Sequence, residues 1–386
     1  MNVPKIRFND FDDNIIKISI KELGNVITGT TPSTTDRSNY GDEYLWASPV
    51  DMGDFKYINN TKTKLSEKGF NKTRCVPKDS ILITCIGSTI GKTGMASKEM
   101  STNQQINTLI PNKIYNSDYL YYCINFNFPR FLNKISFQAV PIISKSVFEK
   151  LEVSITKNIY EQEKIGKLLS LLDKKIELQS KKIEDLKLFK KGLFDKLDFK
   201  NYKNVKLKDI LNEVNIKSTI NNQYEILSST SNGLFLQKDY FNKQAASENN
   251  IGYKIIKKDQ LVLSPQNLWM GNININFKYK EGIVSPSYKI YDINTNIIDI
   301  DYFNNWIKSP RALYEYMISS EQGASVVRRN LNIDLFDEII LKLPDISEQK
   351  RIGRQIKNIN KKIELEFKKL DKLKELKKGL MQNMFV

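Results

Sequence analysis

The chain has 386 residues, 40% of them hydrophobic, enough for two or three domains with cores of their own. Lys and Arg number 60 against 44 Asp and Glu, and the resulting +16 favours a polyanionic partner, either nucleic acid or an anionic membrane surface. Histidine is absent, which excludes His-based general acid–base work, Ser-His-Asp and Cys-His nucleophiles and the common zinc sets.

Cys75, Cys85 and Cys123 show no C-x-x-C spacing and are expected to be reduced and mostly buried. No apolar run approaches the roughly 20 residues of a membrane span. The N-terminus has no signal-peptide core, so a soluble, cytoplasmic chain with no membrane partner is expected.

Residues 1–158 alternate short β-like runs with turn residues. Tyr44-Leu45-Trp46, Ser80 to Ile86 and Ile106 to Ile110 read as strands, and Gly29 to Gly41 as a loop. Tyr119 to Asn133 reads as an aromatic helix interrupted by Pro129, which completes an α+β domain. Gly87 to Thr93 looks like a phosphate-binding loop. Only three residues separate its glycines where four are needed, and Ile86 stands where the first glycine should be. The expectation is a strand-end turn offering Lys92 and Thr93 to a backbone phosphate.

Residues 159–200 hold a stretch that returns in residues 346–386. Glu161 to Asp198 and Glu348 to Phe385 align without a gap at a shift of 187, with 17 identities in 38 positions. That is an internal duplication. Ile165, Leu169, Leu172, Ile176, Ile183, Leu186, Leu193 and Leu197 follow steps of four and three, as do Ile352, Ile356, Ile359, Ile363, Leu370, Leu373, Leu380 and Met384. This 3.5-residue period is a coiled-coil seam. Each helix should be roughly 55 Å long at 1.5 Å per residue. Polar residues interrupt both seams at matching places, Gln179 with Glu366 and Lys190 with Lys377. Near the lysines the seam is expected to drift onto Phe189 and Leu376. Antiparallel pairing of the two copies would bring Gln179 and Glu366 together and fix register.

Residues 201–345 repeat the first domain loosely. Ile18 to Leu23 matches Val205 to Ile210 at the shift of 187, and Lys78 to Ile83 matches Lys258 to Leu263 at 180, which sets Gly91 on Gly271. The order is domain, helix, domain, helix, and the loops between the matching anchors share almost nothing. Similar frames with different loops suggest one scaffold reading two different things.

Polar and basic loops are the candidates for contacts with base edges and phosphates. Thr31 and Ser33 lie in the stretch from Thr28 to Arg37, and Lys62, Lys64 and Arg74 in the stretch from Lys62 to Arg74. Lys92, Thr93, Gln138 and Lys145 complete the first set. Asn267, Trp269 and Asn272 from Gln266 to Asn272, with Arg328, Arg329 and Asn330, form the second. No glycine-rich methyl-donor loop, base-flipping Asn/Asp-Pro-Pro-aromatic motif or clustered nuclease carboxylates occur, so catalysis on DNA must come from another chain.

With this layout, the chain resembles the specificity subunit of a type I restriction–modification system. The resemblance rests on two helices that open on Glu161-Gln162 and Glu348-Gln349, reach Ile165-Gly166 and Ile352-Gly353, and end in Lys190 to Leu193 and Lys377 to Leu380. Gly29 to Ser33 and the phrases before each helix add to it. The resemblance implies an α+β chain with a pseudo-two-fold repeat. Two similar target recognition domains would be separated by two long helices in an antiparallel coiled coil. Each domain would read one part of a split, asymmetric site in double-stranded DNA. Two modification subunits, which carry the methyltransferase and S-adenosylmethionine, would dock on the scaffold. Restriction subunits with ATP and Mg2+, where the system has them, would join the complex. The chain itself would carry no cofactor and no metal and would not be an enzyme. Against that resemblance, one departure is expected: a start almost at the first recognition domain, without an N-terminal helix to close the repeat. A coiled-coil scaffold protein without sequence-specific DNA binding is the reading from a different class.

Overall fold

The structure is a computed structural model that describes residues 3–53, 55–132, 142–195, 202–240, 249–322 and 329–386. It divides into two compact units. The first comprises Met1–Glu184 with Glu366–Val386, and the second Asp185–Leu365. Both boundaries fall inside long helices, Ile159–Asp195 and Ile346–Met384.

In the first unit, strand Ile15–Ser19 runs antiparallel to Glu152–Thr156, Ile15 opposite Thr156 and Ser19 opposite Glu152. A five-stranded sheet follows in the order Gly24–Thr28, Ile106–Pro111, Ile81–Thr84, Thr93–Ala96, Tyr57–Ile58. Ile81–Thr84 is buried at all four positions, which is why it reads as a continuous apolar run rather than an alternating one. A second five-stranded sheet is built from short strands: Tyr40–Gly41, Lys64–Leu65, Tyr44–Ala47, Met100–Thr102, Cys75–Val76. Helix Ser117–Leu132 is the centre of the core, with Tyr119, Leu120, Tyr122, Cys123, Ile124 and Phe128 among its buried side chains. Pro129 lies within this helix and does not interrupt it. The missing donor leaves one carbonyl without its helical partner, and the chain continues to Leu132.

The second unit repeats the frame. Lys203–Lys206 is antiparallel to Ile340–Leu343, and a four-stranded sheet runs Leu211–Val214, Lys289–Ile293, Leu261–Leu263, Ile273–Ile275. These four strands occupy the order of the first four of the first unit's sheet. The turn before the Ile81 and Leu261 strands is the same in both units. Asp79 and Asp259 hold φ of +66° and +64°, a left-handed conformation that a short polar side chain tolerates better than most. Gly91 and Gly271 repeat the correspondence with φ of +91° and +84°. Beyond the frame the units differ. The second carries a hairpin, Leu227–Thr230 with Gly233–Leu236, and the pair Lys254–Lys257 with Glu281–Val284. Tyr302, Phe303, Tyr316 and Phe336 fill its core. Among the described residues, no helix is long and apolar enough to cross a membrane.

Candidate nucleic-acid interface

The start of each long helix is hooked onto its own unit by one buried glutamine. Gln162 accepts from the backbone N–H of Asn116 at 2.9 Å and donates to the Thr156 carbonyl at 2.7 Å. Gln349 accepts from the N–H of Asp299 at 2.9 Å and donates to the Pro344 carbonyl at 3.0 Å. Asn116 and Asp299 then accept from the N–H groups of Tyr119 and Tyr302, both at 2.9 Å. Four residues after each glutamine stands a glycine at the closest approach. A Cβ on Gly166 would lie 2.7 Å from Asn116 Oδ1, and one on Gly353 2.6 Å from Asp299 Oδ1. The repeated Glu-Gln and Ile-Gly pairs are therefore docking residues, a role that periodicity alone does not disclose. Glu161 adds a paired contact from the Arg7 guanidinium at 2.7 and 2.8 Å.

Within the first unit the two helices run antiparallel. Gln179 donates to the Glu366 carboxylate at 2.6 Å and to its carbonyl at 3.0 Å. Toward the start of the first helix and the end of the second, Lys377 pairs with Asp173 at 2.5 Å. Ile165, Leu169, Leu172, Ile183 and Leu370 are buried here, while Ile176, Leu373 and Leu380 are half-buried. In the second unit Ile352 and Ile356 are buried, and Leu186, Leu193, Ile359 and Ile363 are half-buried. Leu197 lies outside the described residues. The seam does not drift at the lysines. Phe189 and Leu376 are 60% and 51% exposed, whereas Lys190 and Lys377 stay in the seam and are partly buried. A lysine's aliphatic stem covers apolar surface while its head reaches a polar partner, which a scan for apolar types does not register.

Glu366 is buried yet stays ionised. The ammonium of Lys182 at 2.8 Å, then the amide of Gln179, hold its carboxyl down to about 2. In the first unit a cavity of about 740 Å³ lies between the sheet, helix Ser117–Leu132 and the long helices. Three of its lysines, Lys56, Lys174 and Lys377, face carboxylates. Lys56 contacts Asp118 at 2.5 Å and Ser170 at 2.7 Å, with the rings of Tyr57 and Tyr122 about it. Burial lowers its pKa and Asp118 works against that. Asp173 also accepts from the Tyr122 hydroxyl at 2.6 Å.

The loop residues divide by accessibility. Ser33, Lys62, Lys92, Lys145 and Asn330 are exposed, and Thr31, Lys64, Asn267 and Trp269 are half-buried. Thr31 donates to Gln104, and Lys145 pairs with Glu149 at 3.6 Å. Two expectations are corrected. Thr93 begins a strand and is buried, and Asn272 is buried where it accepts from Ser229 at 2.7 Å, so neither presents its side chain to a duplex. The exposed Arg74 reaches the Thr28 carbonyl at 2.9 Å, and Arg329 reaches that of Ser320 at 2.6 Å, so both guanidinium groups brace loops. Gln138 and Arg328 lie outside the described residues. In the 28–37 stretch, Asp36 is held well below the usual carboxylate range by the Ser38 hydroxyl and then by Lys68.

Residues 13–188 match the family of type I restriction modification DNA specificity domains. The MjaIX specificity subunit of Methanocaldococcus jannaschii is 31% identical over 193 residues, 48% of this chain and 44% of that protein. The MjaVIII specificity subunit of the same organism is 23% identical over 355 residues, 81% of this chain and 79% of its own length. The chain thus aligns with less than half of the first relative and with most of the second. The crystal structure of the type I restriction–modification S subunit from M. genitalium shares the fold, with a TM-score of 0.62 at 17% identity over 100% of this chain and 99% of that one. Over residues 13–188 by the family match, and over longer stretches by these relatives, the chain is similar to the specificity subunits of type I restriction–modification systems.

Proposed function

We propose that this chain selects the DNA sequence on which a type I restriction–modification complex acts. Each unit's loops read one part of a bipartite, asymmetric site. The observation that carries the reading is the repeated frame with unlike loops: the same four-strand order, the same left-handed aspartate turn and the same glutamine hook support different surfaces. Two non-identical readers predict a site without the palindromy that a homodimer demands. The excess of lysine and arginine supplies phosphate contacts, so affinity falls steeply with salt.

In this reading the paired helices set the spacing of the two half-sites and receive two modification subunits. Those subunits bring S-adenosylmethionine and the transfer chemistry, and ATP and Mg2+ belong to restriction subunits where these are present. The chain works in the cytoplasm and turns over nothing by itself. A helix of roughly 55 Å limits the span to at most about 16 base pairs at 3.4 Å each.

Exchanging residues 205–345 for the matching region of another specificity subunit tests the reading. Methylated adenines mapped genome-wide should change in one half of the motif only; a change in both halves overturns modular reading. Inserting four residues near Gln179 should lengthen the spacer in the same assay, and an unchanged spacer removes the helices from that role.

A further inference from the structure

The second unit has a cavity of about 630 Å³ whose lining differs in charge from that of the first. Among the described residues, five lysines line it, Lys190, Lys191, Lys278 and Lys308 among them, and no aspartate or glutamate does. At the shift of 187, Lys190 corresponds to Lys377 and Asn360 to Asp173. The carboxylate that neutralises the seam lysine in the first unit is thus an amide in the second. Among the described residues, Lys308 is held only by neutral acceptors, the Ser231 carbonyl at 2.7 Å, Asn274 Oδ1 at 2.9 Å and the Gly271 carbonyl at 3.3 Å. Burial draws its pKa down to about 8 and lowers that of Lys190, and no carboxylate counters either shift.

A partly buried ammonium without a counter-charge is costly, and two line this cavity. A doubly charged anion removes both costs. The ring of Tyr279, with Lys278 5.1 Å from its centroid, adds a flat surface at the rim. The size is in the range of small-ligand sites.

We propose that Lys190, Lys308 and Asn360 mark a phosphate-binding site in the second unit, one the first unit has closed with Asp173. The phosphate is either free, as in a small polyphosphate or nucleotide, or carried by a DNA strand. The site is independent of which bases the loops read.

Inorganic pyrophosphate titrated calorimetrically into the full chain at low salt tests this. One saturable site per chain is expected. Asn360→Asp, which changes one amide to a carboxylate of the same size, should weaken binding at least tenfold. Asp173→Asn in the first unit should leave that site unchanged. Absence of saturable binding at millimolar pyrophosphate overturns the proposal, as does wild-type affinity in both Asn360→Asp and Lys190→Gln. A random-sequence duplex added to the loaded chain separates the sources. Displacement of pyrophosphate assigns the phosphate to DNA, and independent binding assigns it to a free ligand. Loss of half-site selectivity without loss of pyrophosphate binding would count against the recognition reading alone.

Discussion

The two units hold the same backbone frame and treat charge in opposite ways. In the first, Lys56 faces Asp118 and Lys377 faces Asp173; in the second, Lys190 lines a cavity with Asn360, and Lys308 has only carbonyl and amide acceptors. What stays constant is what the backbone demands. Asp79 and Asp259 take a strained turn, Gln162 and Gln349 satisfy otherwise bare N–H groups, and Gly166 and Gly353 permit close approach. A substitution at any of these is penalised by geometry whatever the unit binds. Side chains facing loops and cavities escape that constraint, so the units diverge there. A duplication keeps its skeleton because sterics hold it, and changes its surfaces because little else does.

The largest expected effect lies where the units are most alike. Leu169 and Ile356 correspond and are both fully buried, so Leu169→Ala and Ile356→Ala should each cost about 2–5 kcal/mol. Denaturant unfolding followed by hydrogen exchange should place each loss in its own unit; equal loss in both units would show that the two do not respond separately. Next come the close approaches. Gly166→Ala and Gly353→Ala should each destabilise by about 1–3 kcal/mol, since the added Cβ meets an oxygen that caps a helix. Wild-type unfolding midpoints would refute the steric account.

A similar loss, about 1–3 kcal/mol, is expected of Asp173→Asn, which removes the counter-charge of a partly buried Lys377. The reciprocal change Asn360→Asp should raise the unfolding midpoint, because Lys190 gains a counter-charge. If both substitutions move stability the same way, the charge contrast between the units is not the cause.

The smallest effect concerns acid. Glu366 has its pKa lowered from the ordinary 4.5 to about 2, so its contribution is complete above 4.5 and is lost as pH falls toward 2. Glu366→Gln should flatten that part of the stability curve by lowering stability at neutral pH toward its value in acid, checked by denaturant melts across the interval.

Much of the frame was legible because repetition amplifies weak signals. A shift of 187 shows two helices at once, and the matching Lys-Asp turns show two strands. The seam was readable except at Lys190 and Lys377, where apolar periodicity chose Phe189 and Leu376 and amphipathic lysine stems prevailed. Pro129 was read as a break because the rule is local, while the packed aromatic core around it is not. Individual loop residues were the least legible. Thr93 and Asn272 look like surface polar residues until strand pairing sets how deep they lie. The glutamine hooks carried a signal, an identical dipeptide in both copies, whose meaning required the facing Asn116 and Asp299.

The division of the helices has a consequence for synthesis. The second unit is complete once residue 365 has been made, whereas the first waits for Glu366–Val386, whose Met384 and Phe385 enter its core beside Tyr119. The half that leaves the ribosome first is therefore the last to close. Until then the core that holds Ile165, Leu169 and Leu172 lacks Met384 and Phe385, a window in which chaperones and premature association compete for the same apolar stripe. Truncating the far C-terminus would injure the N-terminal unit, and a stalled chain would carry a finished second unit beside an unfinished first.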